Sequence, residues 1–246
     1  MERNVALVTG GLGGIGLVIS KVLSENGFHV VAGCRPNSAN ADKYQGELAM
    51  THPNITVLPF NVGDYHECQR VVLDIEESHG PIKVLVNNAG ITKDGQLKKM
   101  TEDQWQDVLS TNLDSVFNLT RAALGPMLER QYGRIISISS INGEKGQFGQ
   151  CNYAAAKAGM YGFTKSLAQE VAAKGITVNT ISPGYIETDM IRAIKPEIQE
   201  AIKSQIPVKR FGQPEEIARC VQFLADEQAG YITGSNLSVN GGQHMA

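Results

Sequence analysis

Tyr153 and Lys157 lie four residues apart in an alanine-rich segment. Alanine favours helix, and residues four apart project from one face of a helix. A free tyrosine has a pKa of about 10, so it exchanges protons poorly near pH 7 unless a positive charge stabilises its phenolate. A lysine on the same helix face can supply that charge. The pair therefore predicts proton transfer to or from a bound molecule.

The same spacing recurs at Tyr161 and Lys165. Eight residues make about two and a quarter helical turns, which rotates Tyr161 by roughly 80° from Tyr153. Tyr153 follows the apolar run 134–139 and its loop, and open α/β sheets bind ligands at the carboxyl ends of their strands. We therefore expect Tyr153 to face the site and Tyr161 to be a packing or surface residue.

A glycine-rich segment directly follows the apolar run 5–9 and opens a helix-forming stretch; it is Gly10-Gly11-Leu12-Gly13-Gly14-Ile15-Gly16. Glycines allow positive φ and close backbone approach, and a helix N-terminus offers free N–H groups to a pyrophosphate. The segment satisfies a GxGxxG pattern and also a TGxxxGxG pattern that begins at Thr9. Its setting predicts a dinucleotide site.

Arg35 follows the second apolar run, and no Asp or Glu occurs between residues 26 and 41. A carboxylate at this place would bind the ribose 2'-hydroxyl of NAD, whereas a guanidinium can pair with the 2'-phosphate of NADP. We predict NADP(H) as the cofactor. The alternative is that Arg35 is a solvated surface arginine.

These residues need a scaffold that brings them together. Short apolar runs alternate with helix-forming stretches along the chain, at residues 5–9, 29–33, 56–60, 84–87, 134–139, 177–181 and 236–239. Continuous apolar runs are typical of parallel strands buried on both faces, with crossover helices on each side. We predict an α/β fold, a doubly wound parallel sheet of Rossmann type, in a single domain over residues 1–246.

A long segment, 183–207, connects two predicted elements on the substrate side of the site. Such a connection is either a mobile lid or a plain surface excursion, and the sequence alone leaves both open.

Composition excludes several classes. The formal charge of -3 gives no global attraction for nucleic acid, and no apolar run reaches membrane-spanning length. The first residues lack the pattern of a signal peptide. The four cysteines are widely spaced and form no cluster with histidine, so we expect neither zinc nor disulfides, and a cytoplasmic location.

The ordered motifs resemble the short-chain dehydrogenase/reductase family over essentially the whole chain. They are Thr9-Gly10 with Gly14-Ile15-Gly16, Asn87-Asn88-Ala89-Gly90, Asn112, Ser140, Tyr153 with Lys157, and Pro183-Gly184. The resemblance implies that Ser140 binds a substrate carbonyl, that Tyr153 protonates its oxygen as hydride arrives, and that Lys157 binds the nicotinamide ribose. It implies that Asn112 holds a water in the proton relay.

The resemblance also implies the cofactor contacts, which are Gly10, Gly13, Gly14, Ile15, Gly16, Arg35, Asn61, Val62, Asn88, Ala89, Gly90, Tyr153, Lys157, Pro183, Gly184 and Ile186. One position departs from the family pattern. Many members carry an acidic residue after the third strand to contact adenine, whereas this chain has Asn61.

Two branches of the family resemble the chain closely: the 3-oxoacyl-(acyl-carrier-protein) reductases and the acetoacetyl-CoA reductases of polyhydroxyalkanoate synthesis. Segments 33–38 and 142–150 favour the second branch. This implies NADPH-dependent reduction of a short 3-oxoacyl-CoA to the (R)-3-hydroxyacyl-CoA by a homotetramer. The implied substrate contacts are Asp94, Gln147, Phe148, Gln150, Tyr185 and Lys195.

Two alternatives stay open. Arg130 and Lys174 are basic, and an acidic carrier protein could dock on such side chains. A nucleotide-binding scaffold or sensor without turnover is also compatible with the fold, although the complete set of Ser140, Tyr153 and Lys157 argues against it.

Overall fold

The computed structural model describes residues 4–245, apart from the side chains of residues 39, 40, 42 and 190. Residues 1–3 and 246, which the predicted domain includes, lie outside this part. One seven-stranded parallel sheet has the order β3-β2-β1-β4-β5-β6-β7. The strands are β1 Val5–Thr9, β2 His29–Cys34, β3 Ile55–Pro59, β4 Ile82–Asn87, β5 Gly133–Ile138, β6 Ile176–Pro183 and β7 Asn236–Val239. The predicted doubly wound α/β fold is confirmed.

Ten α-helices flank the sheet within the described residues: α1 Gly14–Glu25, α2 Ala39–Thr51, α3 Tyr65–Ser78, α4 Glu102–Leu109, α5 Ser115–Glu129, α6 Ile141–Lys145, α7 Cys151–Val171, α8 Asp189–Arg192, α9 Pro196–Gln205 and α10 Pro214–Ala225. Between α4 and α5, Ser110–Asp114 forms a π-helical turn. Such turns are frequent at functional sites.

The central strands bury both faces, which explains their continuous apolar sequences. In β1, Ala6 and Val8 face one hydrophobic core, and Val5 and Leu7 face the other. Helices α1 and α10 cover the first core, while α3, α5 and α7 cover the second. The two cores hold the sheet rigid, so residues at its carboxyl edge keep fixed positions.

The segment 183–207 differs from the long connection that the sequence suggests. It begins with the last residue of β6 and then contains α8 and α9. Pro196 occupies the first turn of α9, where its missing N–H costs no hydrogen bond. An isolated parallel bridge between Ile186 and Gly212 ties the start of the segment to the chain beyond it.

Candidate active site

The glycine turn lies between β1 and α1. Gly10 and Gly14 have φ of +62° and +46°, which side chains with a Cβ rarely adopt. A Cβ on Gly16 would lie 2.1 Å from the Gly10 carbonyl oxygen, whereas one on Gly13 would meet no described atom within 4 Å. The turn therefore follows the TGxxxGxG pattern rather than GxGxxG.

Thr9 joins the ends of β1 and β4, the two neighbouring strands at which the strand order reverses. Its Oγ1 accepts hydrogen bonds from the backbone N–H groups of Asn88 and Ala89, each at 2.9 Å. The Asn88 amide donates back to the carbonyls of Thr9 and Gly10, at 2.9 and 3.2 Å. This clamp fixes the crevice where doubly wound sheets bind nucleotides.

A cavity of about 450 Å³ opens at this crevice. Its lining comprises Gly10, Leu12, Gly13, Gly14, Ile15, Gly33, Cys34, Arg35, Ser38, Phe60, Val62, Asn88, Ala89, Gly90, Ile91, Thr111, Thr188 and Asp189. The exposed side chain of Arg35 lies at the end where the second strand stops. The glycine backbone and the start of α1 together fit the pyrophosphate of a dinucleotide.

Asn61 and Val62 have different surroundings. Val62 lines the nucleotide cavity, but the Asn61 side chain turns back and accepts a hydrogen bond from Gly63 N at 3.0 Å. The structure thus does not bring the Asn61 side chain to the cavity lining within the described residues. An Asn two residues before a glycine readily forms such an Asx turn, and this local bond competes with the predicted adenine contact.

A second cavity, of about 290 Å³, lies beside the first. Its lining comprises Ile15, Asn88, Gly90, Ile91, Thr92, Ile138, Ser139, Ser140, Ile141, Asn142, Gln150, Tyr153, Lys157, Pro183, Gly184, Tyr185, Ile186, Thr188 and Ile191. Five residues border both cavities: Ile15, Asn88, Gly90, Ile91 and Thr188. The two cavities therefore form one groove along the carboxyl edge of the sheet.

Tyr153 and Ser140 meet in the second cavity. Ser140 precedes the first turn of α6, and its Oγ accepts a hydrogen bond from Asn142 N at 3.1 Å. Burial raises the pKa of Tyr153, and a hydrogen bond with Ser140 opposes that rise. A phenol that keeps its proton at neutral pH is suited to donate a hydrogen bond, and then the proton, to an oxygen placed between the two hydroxyls.

Lys157 is a buried lysine beside this pair, and the residue is only 3% exposed. Its Nζ donates to the Ile138 carbonyl at 2.7 Å and lies 5.7 Å from the centre of the Tyr153 ring. Burial lowers the pKa of Lys157 to about 7. A Cβ built on Gly90 would lie 3.5 Å from this Nζ, so the lysine reaches the floor of the groove where the two cavities join.

Asn112 is fully buried in the π-helical turn. Its Oδ1 accepts from Ile91 N at 2.8 Å, and its Nδ2 donates to the Ile91 carbonyl at 2.9 Å. The side chain that the sequence predicts to hold a relay water is therefore paired on both sides with the backbone that follows Gly90. In this structure Asn112 fixes one wall of the groove.

The predicted substrate residues fall into two groups. Gln150 and Tyr185 line the second cavity, and Asp94 accepts a hydrogen bond from Gln150 Nε2 at 2.9 Å. The other three are exposed and lie outside the cavity lining in the part of the chain described: Gln147, Phe148 and Lys195.

Tyr161 is half-buried and lies outside the lining of both cavities within the described residues. Beyond the predicted packing role, its hydroxyl lies 3.0 Å from the Ser140 carbonyl and 2.9 Å from Ser182 Oγ. Lys165, its partner by spacing, is exposed. Equal spacing thus leads to different roles because the two tyrosines face different neighbours.

Sequence reasoning missed two polar residues of the groove. Asn142 donates to Gln150 Oε1 at 2.9 Å, and Thr188 borders both cavities. Asn142 lies two residues after Ser140, and Thr188 two residues after Ile186, so proximity to predicted site residues could have indicated both.

A dinucleotide-type glycine turn and a serine–tyrosine–lysine set, joined by one groove, define a nucleotide-binding oxidoreductase. The family model for short chain dehydrogenase matches residues 4–199, so the chain belongs to that family. Its members use a nicotinamide dinucleotide, either NAD or NADP.

Curated relatives match over their full length. Acetoacetyl-CoA reductase of Cupriavidus necator is 48% identical over 245 residues, 100% of both chains. Acetoacetyl-CoA reductase of Shinella zoogloeoides is 54% identical over 240 residues, 97% of this chain and 98% of the relative. The 3-oxoacyl-(acyl-carrier-protein) reductase FabG of Vibrio cholerae is 45% identical over 245 residues, 100% of this chain and 99% of the relative.

Two structural features are missing from residues 4–245. This range contains no group of three or more His, Cys, Asp and Glu side chains arranged to hold a metal ion. No helix in the same range combines the length and apolar character needed to cross a membrane.

Proposed function

We propose that the chain reduces acetoacetyl-CoA, or a similar short 3-oxoacyl-CoA, to the (R)-3-hydroxyacyl-CoA with NADPH. The observation that carries this proposal is the meeting of Ser140, Tyr153 and Lys157 in the second cavity, which adjoins the nucleotide cavity. The acetoacetyl-CoA reductases at 48% and 54% identity support the substrate. The product's stereochemistry follows from the resemblance to that branch.

The nucleotide cavity would hold the cofactor. Its glycine turn and the N-terminus of α1 would bind the pyrophosphate, and Arg35 would pair with the 2'-phosphate. The bound dinucleotide supplies the hydride. Beyond the turn, the cofactor contacts proposed from the resemblance include Val62, Ala89, Pro183, Gly184 and Ile186, all of which line the groove.

Ser140 and Tyr153 would hold the substrate carbonyl between their hydroxyls. The carbonyl oxygen gains negative charge as C3 is reduced, so donors aimed at it stabilise the transition state more than the ground state. Tyr153 then gives its proton to that oxygen. Lys157, once its buried amine is protonated, stabilises the resulting phenolate.

Asn112 has a less direct place in this scheme. Its contact with a relay water rests on the resemblance, because both polar atoms of its side chain pair with Ile91. Its structural contribution to the proposed reaction is to fix the backbone that follows Gly90, opposite Lys157.

The carrier of the acyl group is proposed as coenzyme A. Arg130, one of the two side chains that favour a carrier protein, donates two hydrogen bonds to Glu76 and a third to the Ile82 carbonyl. Ile82 begins β4, and Lys174 closely precedes β6. Both basic residues thus lie at the opposite end of the sheet from the groove of the same chain, so they do not flank this chain's own cavity mouth.

The biological setting follows from the same proposal. A reductase of acetoacetyl-CoA would act in polyhydroxybutyrate biosynthesis in the cytoplasm, as a homotetramer.

The substrate is tested by following NADPH oxidation with acetoacetyl-CoA and with acetoacetyl carrier protein under identical conditions. We expect acetoacetyl-CoA to have the higher kcat/KM. A strong preference for the carrier protein would select the alternative, 3-oxoacyl-(acyl-carrier-protein) reductase. NADPH binding without oxidation by either substrate would indicate a scaffold or sensor.

The cofactor choice is tested with Arg35→Ala, with Arg70→Ala, an exposed arginine on α3, as the control. Loss of the guanidinium should raise KM for NADPH by roughly 10-fold or more, because a charge-assisted pair is lost, and leave KM for NADH nearly unchanged. Equal changes for both cofactors would refute the role of Arg35.

A further inference from the structure

Tyr161 contacts the backbone of Ser140 from the side away from the groove. Its hydroxyl lies 3.0 Å from the Ser140 carbonyl, and 2.9 Å from Ser182 Oγ on β6. The two tyrosines of α7 therefore meet the same serine, Tyr153 at its hydroxyl and Tyr161 at its carbonyl.

The hydrogen bonds continue from Ser182 to the edge strand and return to α6. Ser182 Oγ lies 2.8 Å from Asn236 Oδ1, and Asn236 Nδ2 lies 2.6 Å from Glu144 Oε1. Ser238 also donates to that carboxylate oxygen. We call Tyr161, Ser182, Asn236 and Glu144 the α6 brace, because the chain of contacts begins at Ser140 before α6 and ends at Glu144 within it.

The acceptor oxygen of Glu144 sets the direction of the hydrogen bonds in the brace. A carboxylate only accepts hydrogen bonds, so Asn236 turns its Nδ2 towards Glu144 and its Oδ1 towards Ser182. Ser182 then donates its single hydroxyl proton to Asn236. Tyr161 must therefore use its own proton, shared between the Ser140 carbonyl and Ser182 Oγ. The Glu144 carboxylate therefore determines which group donates and which accepts in each hydrogen bond of the brace, as far as the Ser140 carbonyl.

Helix α6 depends on such contacts because it has only five residues, too few to be stable alone. On its other side, a Cβ at Gly143 would lie 2.9 Å from the Lys157 carbonyl carbon, so α6 packs directly against the backbone of α7. The brace holds it from the side of β6 and β7.

Glu144 would be an unfavourable residue at this position if it served packing alone. Its Oε2 is buried and has no hydrogen-bond partner within residues 4–245, and a half-satisfied buried carboxylate destabilises a fold. Its remaining contacts all order the brace.

We propose that Tyr161 and Glu144 are positioning residues that hold α6, and with it the Ser140 hydroxyl, in the geometry that carbonyl reduction requires. The catalytic consequence rests on the proposed function, whereas the structural consequence does not.

The structural part is tested by hydrogen exchange in Tyr161→Phe, with Tyr231→Phe as the matched control because Tyr231 is fully exposed. Amides of residues 141–146 should exchange at least about fivefold faster in Tyr161→Phe, the loss expected for one hydrogen bond, and at the wild-type rate in the control. Unchanged exchange in Tyr161→Phe would overturn the proposal, whether or not the enzyme turns over.

The catalytic part is tested by a double-mutant cycle with Ser140→Ala. Tyr161→Phe should lower kcat about tenfold in the wild-type background, with the Kd for NADPH unchanged, and by less than about twofold when Ser140 is already absent. Equal losses in both backgrounds would show that Tyr161 does not act through Ser140. An inactive wild-type protein would instead refute the proposed function. In that case the hydrogen-exchange rates of residues 141–146 would still test the structural role of the brace.

Two substitutions of Glu144, one to Ala and one to the isosteric Gln, test whether its acceptor oxygen is what matters. Glu144→Ala should resemble Tyr161→Phe in kcat and in exchange, while Glu144→Gln should stay within about twofold of wild type, because its Oε1 can still accept from Asn236 and Ser238. Equal damage by Ala and Gln would contradict positioning through this hydrogen-bond chain.

Discussion

The two ends of the groove are built from different parts of the chain. The nucleotide end is made of backbone: a turn with two positive-φ glycines, a third glycine with no room for a Cβ, and a threonine–asparagine clamp. Beside the substrate end, the loop between α6 and α7 carries exposed side chains, such as Phe148, which is 81% exposed. The structure of the first end is fixed by the fold, while the second can change residue by residue.

Relatives of this chain carry names with different thioester carriers, and the contrast between the two ends predicts that such differences arise at the substrate end. A backbone-built end tolerates few substitutions, so we expect dinucleotide binding to be kept. The exposed loop beside the substrate end tolerates many substitutions, so specificity for the thioester substrate can be altered there. Substitutions at successive positions along the groove test this difference between its two ends. The largest effect on turnover is expected at Tyr153.

In the second cavity, Tyr153→Phe removes the proton donor without emptying its volume. We expect kcat to fall by about 10³-fold, within the range for loss of a general acid, with the Kd for NADPH within about twofold of wild type. Steady-state turnover and fluorescence titration of NADPH measure the two quantities. Substantial remaining activity would refute the role of Tyr153.

At the nucleotide end, Gly16→Ala places a Cβ 2.1 Å from the Gly10 carbonyl oxygen. The turn must open, and we expect the Kd for NADPH to rise by about 100-fold, as close approach to the pyrophosphate is lost. Gly46→Ala on α2, where a Cβ meets no described atom within 4 Å, is the control and should bind normally. Normal NADPH affinity in Gly16→Ala would break the contrast between the two ends.

Between the ends, Lys157 is a buried lysine, whereas Lys195 is exposed. Burial lowers the pKa of Lys157 from 10.5 to about 7. Below pH 7, Lys157 is protonated in both the folded and the unfolded chain, and burial of its charge destabilises the fold most. Between about pH 7 and pH 10.5, the unfolded chain binds more protons than the folded chain, so this destabilisation declines as pH rises.

Lys157→Met should therefore raise the Tm of the cofactor-free protein by about 2–4 °C at pH 6 and by less at pH 9, while abolishing most activity. Lys195→Met should leave the Tm unchanged at both pH values. Thermal unfolding across this pH range measures both. A Tm gain for Lys157→Met that grows with pH would have the wrong sign and would contradict the burial argument.

The smallest effect is expected in the exposed loop between α6 and α7. Phe148→Ala should raise KM for acetoacetyl-CoA by no more than about threefold and leave kcat and Tm nearly unchanged, because exposed side chains contribute little to stability. Phe223→Ala on α10, also exposed, is the control. A loss of tenfold or more in kcat would show that the loop after α6 folds over the substrate and does not tolerate substitution.

The sequence predicted the parts that depend on local constraints. Strands buried on both faces have continuous apolar runs, so the predicted run 5–9 coincides with β1 and 236–239 with β7. Gly10 and Gly14 have positive φ, and this backbone conformation favours glycine, so it can be predicted from the residue type. The cofactor end of the groove was accordingly recognisable from residue types and their order along the chain.

Contacts between distant segments were not predictable in the same way. Tyr161 meets Ser182 because α7 packs against β6, and Ser182 meets Asn236 because β6 pairs with β7 in a particular register. Asn61 forms a local turn that a family pattern does not reveal. Pro196 was a usable signal for the start of α9, yet segment 183–207 was predicted as one long connection, either a mobile lid or a surface excursion.

The most direct test of the proposed reaction is isotope transfer. Wild-type protein is incubated with acetoacetyl-CoA and NADPH dideuterated at C4 of the nicotinamide ring, and the thioester product is analysed by mass spectrometry and chiral chromatography. We expect (R)-3-hydroxybutyryl-CoA with one deuterium at C3, and almost none of it from Tyr153→Phe. Absence of labelled product despite measurable NADPH binding, or equal labelling by Tyr153→Phe, would contradict the proposed reaction.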